Sequence, residues 1–351
     1  MVSPEKLIRK HLEAIKPYSS ARDEYTGTIG VFLDANENAI GSSSELFYNR
    51  YPDPHHDALK AKWSEIKGVA KENIFFGNGS DEPIDLLVRL FCEPREDHVI
   101  TMPPTYGMYA VSADINGVEN KQIPLTSDFQ IDLDALRSVW SEKSKMIFVC
   151  SPNNPSGNLL DRKAIETILN EFQGIVVIDE AYVDFSPEES WTSYIKAHPN
   201  LIVLQTLSKA WGMAGIRVGV AMGNSFIISM LNKIKPPYNL SLPNQTLALE
   251  ALNNETKKNK FVEELLNSRA ELESSLLEIS MVKEIIPSAA NFLLVRMDKA
   301  KEVFEYLIKN TLIVRDRSSQ LHCEGCLRIT VGTREENANL IQLLKKYTDQ
   351  L

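Results

Sequence analysis

The sequence has 351 residues, 43% hydrophobic and 24% charged, with a formal net charge of −9 at pH 7. This charge disfavours nucleic acid as a main partner, because binding to phosphate backbones requires a clustered basic face that the sequence lacks. No apolar segment is long enough to span a bilayer, so we expect no membrane association and a cytoplasmic location. The length favours two domains with a cleft between them, because single hydrophobic cores rarely grow this large.

The chain opens with MVSPEKLIRKHLEAI, whose charged amphipathic pattern predicts a helix. From about residue 75, short apolar runs alternate with longer stretches of helical periodicity, which predicts a layered α/β sheet with parallel pairing. Several of the strands lack polar alternation, as is typical of strands buried on both faces. The predicted strands are NIFFG, HVITM, MIFVC, GIVVID and LIVLQT, and the predicted helices between them include IDLLVRLF, TYGMYAV and KAIETILNEF.

After Pro236 and Pro237 the pattern changes to a long helical stretch over about residues 245–279. Two short strands follow, NFLLVRM and LRITVG, with a helix around EVFEYLIKN between them. This pattern predicts a second, smaller α+β domain. We therefore expect an N-terminal arm over residues 1–40, a large domain over residues 41–240 and a small domain over residues 241–351.

Polar loops follow each of the five predicted strands of the large domain. Ligand sites in doubly wound sheets lie beyond the carboxyl ends of the strands. These loops are therefore expected to form one site. In chain order the loops are GNGSDE, PPTY, SPNNPSG, DEAY and TLSK.

The stretch QTLSKAWGMAGIRVG, residues 205–219, contains one lysine, Lys209, followed by an apolar, glycine-containing run. A desolvated amine near other cations has the lowered pKa that a reactive amine requires. Thr206 and Ser208 supply hydroxyls beside it, and Arg217 supplies a guanidinium that can bind a phosphate through two hydrogen bonds. A solvated lysine at a helix start fits the apolar run poorly, so a reactive Lys209 is favoured.

Asp179 ends a wholly apolar strand, so its carboxylate is expected to be partly buried and to need a cationic or N–H partner. A protonated pyridine nitrogen is such a partner, but an aspartate that caps the next helix fits the sequence equally well. Similarly, GNGSDE predicts either a phosphate site at a helix N-terminus or a capped turn. Asn154 is a candidate donor to a phenolate oxygen, Tyr182 shares the loop of Asp179, and Tyr106 can stack on a flat ring.

The four cysteines, at positions 92, 150, 323 and 326, are too few and too scattered for a disulfide framework. HCEGC, residues 322–326, has the spacing of a metal or redox motif. A zinc site would need further ligands, and Cys92 and Cys150 both lie in apolar segments. A turn before the strand LRITV is favoured, and no metal is expected.

Together, and in this order, the motifs resemble those of the fold-type I pyridoxal-phosphate-dependent aminotransferases, over nearly the whole chain. The resemblance implies a large domain with a mostly parallel sheet covered by helices on both faces, a smaller α+β domain, and pyridoxal phosphate as cofactor. The motifs are LDANEN, RYPDP, GNGSDE, PTYGMY, SPNNPSG, IDEAY, TLSKAWGMAGIRVG, IVRD and CLRITVGT.

The resemblance assigns roles to particular residues of these motifs. Lys209 would form a Schiff base with the cofactor and then act as general acid and base, while Asp179 would pair with the pyridine nitrogen. The ring hydroxyl would be held by Asn154 and Tyr182, and Tyr106 would stack on the ring. The cofactor phosphate would be held by Gly79, Ser80, Asp81, Thr206, Ser208 and Arg217, and by Tyr51 of a second subunit. That last contact implies a homodimer with shared active sites.

Within the family, the similarity is strongest to members that act on L-histidinol phosphate with 2-oxoglutarate, in histidine biosynthesis. Arg328 and Arg315 would bind the phosphate of one substrate and the carboxylates of the other, since guanidinium pairs with either anion. Tyr18 and Asn36 would close over the substrate. In the family, proline and tyrosine often follow NEN, but this chain has NENAIG. The resemblance therefore does not define the shape of the segment that would cover the substrate.

Other activities of the same fold remain alternatives. An aromatic amino-acid aminotransferase or a threonine-phosphate decarboxylase would also keep Lys209 and Asp179, so these residues do not discriminate between them. A non-catalytic cofactor-binding regulator would need a DNA-binding module, and the sequence offers no basic segment of suitable length for one.

Overall fold

The computed structural model describes residues 3–18 and 30–349, so residues 1–2 and 19–29 of the predicted N-terminal arm lie outside the described residues. The strands are β1 (Ile74–Asn78), β2 (His98–Thr101), β3 (Glu119–Gln122), β4 (Ser144–Cys150), β5 (Ile175–Asp179), β6 (Leu201–Thr206), β7 (Val218–Gly223), β8 (Val282–Ile286), β9 (Phe292–Met297), β10 (Arg315–Asp316) and β11 (Cys326–Thr330). The helices are α1 (Lys10–Glu13), α2 (Asp57–Lys67), α3 (Asp81–Phe91), α4 (Met108–Ile115), α5 (Leu133–Val139), α6 (Arg162–Glu171), α7 (Ser225–Ile234), α8 (Leu242–Leu252), α9 (Glu255–Leu277), α10 (Ala300–Lys309) and α11 (Arg334–Thr348).

Seven of the described strands form one sheet in the order β1-β7-β6-β5-β4-β2-β3. Strands β3, β2, β4, β5 and β6 run parallel to one another, and β7 is antiparallel to both of its neighbours. Strand β1 therefore runs in the same direction as β6. The prediction of a mostly parallel sheet is confirmed, although the sequence patterns had not indicated β3 or β7.

Helices cover both faces of this sheet, which explains the uninterrupted apolar runs of its central strands. In β4, Ile147 and Val149 pack into the core cluster that contains Trp63 of α2. The alternate residues Met146 and Phe148 pack into the cluster on the opposite face, with side chains of α3 and α7. Every side chain of such a strand packs into one of the two hydrophobic cores, so the strand has no solvent-facing positions that would favour polar residues.

Four described strands form a second, antiparallel sheet in the order β10-β11-β9-β8. Side chains of α9, α10 and α11 pack on it in a separate hydrophobic core. Of these strands the sequence indicated only β9 and β11, because β10 has two residues and β8 is largely exposed. The single long helix expected over residues 245–279 is two helices, α8 and α9, separated at Asn253 and Asn254.

The N-terminal segment differs from the continuous helix that its pattern predicted. It forms a single 3-10 turn, Pro4–Lys6, and the short helix α1, with Arg9 extended between them. The Arg9 backbone amide donates to the Leu90 carbonyl oxygen at 3.1 Å, and its guanidinium pairs with Glu93. These contacts with the large sheet's helical layer outweigh the local helical preference. No helix within the described ranges is long and apolar enough to cross a membrane.

Candidate active site

A cavity of 510 Å³ opens where the carboxyl ends of β1, β2, β4, β5 and β6 meet. Strands β10 and β11 of the small sheet, with the loop between them, line one side of it. All five polar loops predicted to share a site contribute to its wall. Twelve of the predicted site residues line it: Ser80, Asp81, Tyr106, Asn154, Asp179, Tyr182, Thr206, Ser208, Lys209, Arg217, Arg315 and Arg328.

The carboxylate of Asp179 lies at the end of β5 and is almost fully buried, with 3% of the residue exposed. It accepts hydrogen bonds from the Tyr109 hydroxyl at 2.7 Å and from the Ala181 backbone amide at 3.0 Å. Burial raises its pKa, and these two hydrogen bonds oppose the rise. Among the described residues no lysine or arginine forms a salt bridge with it, so a buried carboxylate faces the cavity without a cationic partner.

Lys209 follows β6, and its Nζ atom lies 5.5 Å from the centre of the Tyr182 ring. Burial lowers the pKa of this amine, and the nearby guanidiniums of Arg328 and Arg217 lower it further. Asp179 opposes part of the shift. The amine is therefore neutral at a lower pH than an exposed lysine, as a nucleophile or proton acceptor requires.

Hydroxyl and guanidinium donors collect at one end of the cavity. The Thr206 hydroxyl lies 3.0 Å from that of Ser208, and it accepts a hydrogen bond from the Ser208 amide at 3.1 Å. Arg217 lies opposite, in a left-handed backbone conformation with φ 52°. Its guanidinium is 3.3 Å from the Asp81 carboxylate, which also accepts from the Tyr106 hydroxyl at 2.9 Å.

Gly79 lies against this guanidinium. It has φ +70°, which favours glycine, and a Cβ atom placed on it would approach Arg217 Nη2 to 2.6 Å, so the guanidinium would have to shift. Its backbone amide donates to the Arg217 carbonyl oxygen at 2.8 Å. The Gly79 amide is therefore engaged, and the residue's contribution is to let Arg217 approach the start of α3.

Asn154 and Arg328 connect the two sheets. The loop that contains Asn154 is fixed by its neighbour Asn153, whose backbone amide donates a hydrogen bond of 2.8 Å to the backbone carbonyl oxygen of Asn158. Arg328, from β11, donates to the Asn154 side-chain oxygen and lies 5.3 Å from the centre of the Phe292 ring. The Phe292 ring in turn packs edge-on against Tyr182 at 5.2 Å. Arg328 thereby stands next to the residues that surround Lys209.

Four predicted residues are not among those that line this cavity: Gly79, which lies against Arg217, and three residues that line other surface grooves. Tyr51 is half exposed and stacks on Tyr238 with 4.5 Å between ring centres. Asn36 lies in the same surface groove as Tyr51, and Tyr18 lines a different groove beside Lys233. Within one chain, therefore, the described structure does not bring these three side chains to Lys209.

Three residues that the sequence patterns had not indicated belong to the site. Tyr109 is fully buried behind Asp179, and Arg317 and Gln320 line the cavity beside Arg328. Tyr109 lies in α4, whose apolar pattern makes it indistinguishable from core. The signal that could have indicated Arg317 is its position two residues after Arg315, which places both side chains on one face of an extended segment.

The two cysteines of HCEGC are both buried, and the Cys326 amide donates to the Cys323 carbonyl oxygen at 2.9 Å, which closes a turn before β11. Burial raises the pKa of the Cys323 thiol to about 12. Among the described residues no group of three or more His, Cys, Asp or Glu side chains could hold a metal ion.

The sequence matches the family "Aminotransferase class I and II" over residues 25–344. The histidinol-phosphate aminotransferase of Cytophaga hutchinsonii is 50% identical over 345 residues, which cover 98% of this chain and 99% of that protein. The histidinol-phosphate aminotransferase of Bacteroides fragilis is 50% identical over 348 residues, covering 99% of this chain and 100% of that protein.

Solved structures share the fold. The histidinol-phosphate aminotransferase of Sinorhizobium meliloti, in complex with pyridoxal-5'-phosphate, aligns with a TM-score of 0.79 at 22% identity and covers 97% of each chain. The L-threonine-O-3-phosphate decarboxylase of Porphyromonas gingivalis aligns with a TM-score of 0.74 at 23% identity, covering 86% of this chain and 91% of that chain. At this level of identity the similarity shows the fold alone, and it spans both activities.

Proposed function

The chain belongs to the class I and II aminotransferase family, and we propose that it moves the amino group between L-histidinol phosphate and 2-oxoglutarate, in histidine biosynthesis. The products are imidazole acetol phosphate and glutamate. One observation carries the proposal: a single cavity holds the depressed-pKa amine of Lys209, the buried carboxylate of Asp179 and the arginine pair Arg315 and Arg328. Relatives about 50% identical over nearly the whole chain are named for this activity.

The described residues fit pyridoxal phosphate. Among the described residues no cation pairs with the buried carboxylate of Asp179, and a protonated pyridine nitrogen would supply one. Tyr182 and Asn154 would hold the ring hydroxyl, and Tyr106 would stack on the ring. Thr206, Ser208 and Arg217, together with Ser80 and Asp81 at the start of α3, would hold the phosphate.

The cofactor, when bound, acts as an electron sink for the substrate carbon that carries the amine. Lys209 attaches the cofactor through its amine. The same amine, in its neutral form, would accept the proton from that carbon as general base and, once protonated, would donate it as general acid. Its lowered pKa keeps it in the neutral form that can accept a proton.

Arg328 and Arg315 are the proposed substrate-anion residues. They face each other as Cα partners across β10 and β11, so their side chains emerge on the same face of the small sheet. Guanidinium binds phosphate and carboxylate with the same fork of donors, which suits a site that must accept both substrates in turn. Tyr18 and Asn36 are proposed to close over the substrate.

We further propose a homodimer in which Tyr51 reaches the cofactor phosphate of the partner subunit. Large apolar side chains before Tyr51 are strongly exposed in the single chain, among them Val31, Ile40 and Phe47, each more than 80% exposed. A surface of this kind marks a protein contact. We propose a cytoplasmic location and small-molecule substrates, with neither nucleic acid nor membrane as a partner.

Mixing two variants tests this shared site. In a mixed dimer of Tyr51→Ala and Lys209→Ala subunits, one site would have an intact Lys209 and an intact Tyr51 only if Tyr51 acts across the interface. Regained activity above that of either variant alone is expected. If no activity returns although mixed dimers form, Tyr51 does not act across the interface.

The proposed reaction is tested by incubating the cofactor-loaded protein with histidinol phosphate and 2-oxoglutarate and measuring glutamate. Glutamate formation that needs both substrates is expected. Turnover of phenylalanine in place of histidinol phosphate would favour an aromatic amino-acid aminotransferase. Release of carbon dioxide from threonine phosphate would favour the decarboxylase.

A further inference from the structure

Arg317 adds a third guanidinium to the wall that holds Arg315 and Arg328. It directly follows β10, and its backbone amide donates to the Cys326 carbonyl oxygen at 2.9 Å, which continues the pairing of β10 with β11. Since side chains two positions apart in an extended segment point the same way, Arg317 lies on the face of Arg315. All three arginines line the cavity that contains Lys209.

The loop after Arg317 is held by main-chain contacts. The Gln320 amide donates to the Arg317 carbonyl oxygen at 2.9 Å, and the Cys323 amide donates to the Gln320 carbonyl oxygen at 3.0 Å. A ring nitrogen of His322 lies 3.1 Å from the Leu125 carbonyl oxygen of the large domain, and Arg296 donates to the His322 carbonyl oxygen at 3.0 Å. Arg317 is thus carried on a preorganised segment.

Buried side-chain atoms of this segment, in contrast to its backbone, lack hydrogen-bond partners among the described residues. Arg317 Nε and Ser318 Oγ are buried, and within the described part of the chain neither has a hydrogen-bond partner. Across the same residues, none of the three arginines forms a salt bridge. Burying a donor without an acceptor costs free energy, so the unpaired Arg317 Nε, on a wall with the guanidiniums of Arg315 and Arg328, fits an anion of more than one charge.

The two substrates differ in the anionic group that the three arginines would bind and in its distance from the carbon that bears the amine. Glutamate has a carboxylate bonded directly to the carbon that bears the amine, with a single negative charge. In histidinol phosphate a methylene and an oxygen separate that carbon from a phosphate, which has a charge of about −1.5 to −2 at pH 7 and three acceptor oxygens. Arg328 stands beside Asn154, near the reacting amine, and Arg317 extends the wall along the same face.

We propose that Arg317 binds the phosphate of the phosphorylated substrate and contributes little to the binding of the dicarboxylate substrate. This inference rests on the proposed function, and it assigns the selectivity for a phosphate monoester to a residue outside the Arg315 and Arg328 pair.

The test uses Arg317→Gln in the cofactor-loaded protein and two anions that have no amine and therefore cannot react. Phenyl phosphate stands for the phosphate substrate, and glutarate stands for the dicarboxylate. Calorimetric titration is expected to give a dissociation constant for phenyl phosphate raised by about 10-fold or more, as for the loss of a charge-assisted hydrogen bond. The dissociation constant for glutarate is expected to stay within about 2-fold. Arg317→Lys should restore only part of the phosphate affinity, because an ammonium lacks the planar fork.

Arg334→Gln serves as the matched control, because that guanidinium is 71% exposed and outside the cavity. The inference is overturned if Arg317→Gln weakens both anions equally, if it weakens neither, or if the unsubstituted protein does not bind phenyl phosphate. Single-turnover reactions of the cofactor-loaded protein are measured with histidinol phosphate and with glutamate. They distinguish a failure of this inference from a failure of the proposed function. Failure of the unsubstituted protein to react with histidinol phosphate contradicts the function, whereas a normal reaction that is insensitive to Arg317→Gln contradicts only the role of Arg317.

Discussion

The hydroxyl of Tyr109 donates a hydrogen bond of 2.7 Å to the buried carboxylate of Asp179. The Tyr109 ring is itself fixed, because it stacks on Phe148 with 4.6 Å between ring centres. The hydrogen bond lowers the pKa of Asp179, against the rise that burial causes. Tyr109 therefore both orients the carboxylate and helps to keep it ionised.

Tyr109→Phe removes this hydrogen bond while keeping the ring. The pKa of Asp179 should rise further, so the carboxylate should become protonated at a higher pH and pair less well with a pyridine nitrogen. Cofactor affinity should fall by roughly 10-fold or more, as for a hydrogen bond to a charged group. The loss should be larger at acidic pH, as measured by titration of the cofactor into the cofactor-free protein. Tyr194→Phe is the control, since that hydroxyl bonds to Glu166 far from the cavity. Equal affinities for Tyr109→Phe and the unsubstituted protein at all pH values would refute the role of Tyr109.

Arg328→Gln should change the pH dependence of cofactor attachment. Burial is the main cause of the lowered pKa of Lys209, and Arg328 is the next. Only the neutral amine can attack the cofactor's aldehyde, so the attachment rate should rise with pH and level off above the pKa of Lys209. Without the Arg328 charge that pKa should rise, and the midpoint of the profile should move to higher pH. Arg137→Gln, on the surface and paired with Glu171, should leave the midpoint in place. A midpoint that stays or falls in Arg328→Gln would show that Arg328 does not act on Lys209.

Gly79→Ala should weaken cofactor binding through Arg217. The added methyl group would lie 2.6 Å from Arg217 Nη2, and the positive φ of the residue would be strained by any side chain. Displacement of the guanidinium should reduce cofactor affinity by about 10-fold, as for the loss of a charge-assisted contact. Gly215→Ala lies close by in sequence to Arg217, has nothing within 4 Å of the added atom and should bind normally. Matching affinities for the two variants would mean that the position of Arg217 does not depend on Gly79.

His56 should make the fold sensitive to acid. It is 1% exposed, and its ring nitrogens have no hydrogen-bond partner among the described residues. Burial, with the charges of Lys235 and Lys60, lowers its pKa from 6.5 to about 3. The unfolded chain then binds a proton that the folded chain does not, so the contribution of neutral His56 to stability is complete above pH 6.5 and is lost as the pH falls towards 3.

His56→Asn removes this titration while keeping a residue that tolerates the positive φ of 56°. The free energy of unfolding of the unsubstituted protein, relative to that of the variant, should fall by about 1.4 kcal/mol for each pH unit below 6.5. Urea unfolding at a series of pH values measures this difference. A difference that is constant between pH 7 and pH 4 would show that His56 is protonated as readily in the folded chain as in the unfolded one.

Most of the cavity could be predicted from the sequence because its parts lie at strand ends. Loops after parallel strands meet at one edge, so polar motifs spaced along the chain converge without any knowledge of the packing. Tyr109 could not be found in this way. It lies inside α4 among apolar residues, and only the packed structure shows that its hydroxyl reaches Asp179. The two-residue spacing relates Arg317 to Arg315, but its place in the cavity wall depends on the pairing of the two-residue strand β10 with β11.

Strands could be predicted where burial produces a clear apolar pattern in the sequence. They could not be predicted where only tertiary contacts determine that a segment forms a strand. The central strands are buried on both faces and were recognisable as apolar runs. Strand β3, with the sequence ENKQ, lies at the sheet edge and is largely solvated, so it has no apolar signal. The contact of Tyr51 with the site of a second subunit stays a prediction.

The central claim is that Lys209 attaches the cofactor in the cavity beside Asp179. Borohydride reduction of the cofactor-loaded protein fixes the cofactor to the amine that holds it, and peptide mass spectrometry then identifies the lysine. We expect the added mass on the peptide that contains Lys209, and none in Lys209→Ala. Modification of a different lysine in the unsubstituted protein, with Lys209 unmodified, would contradict this account of the active site.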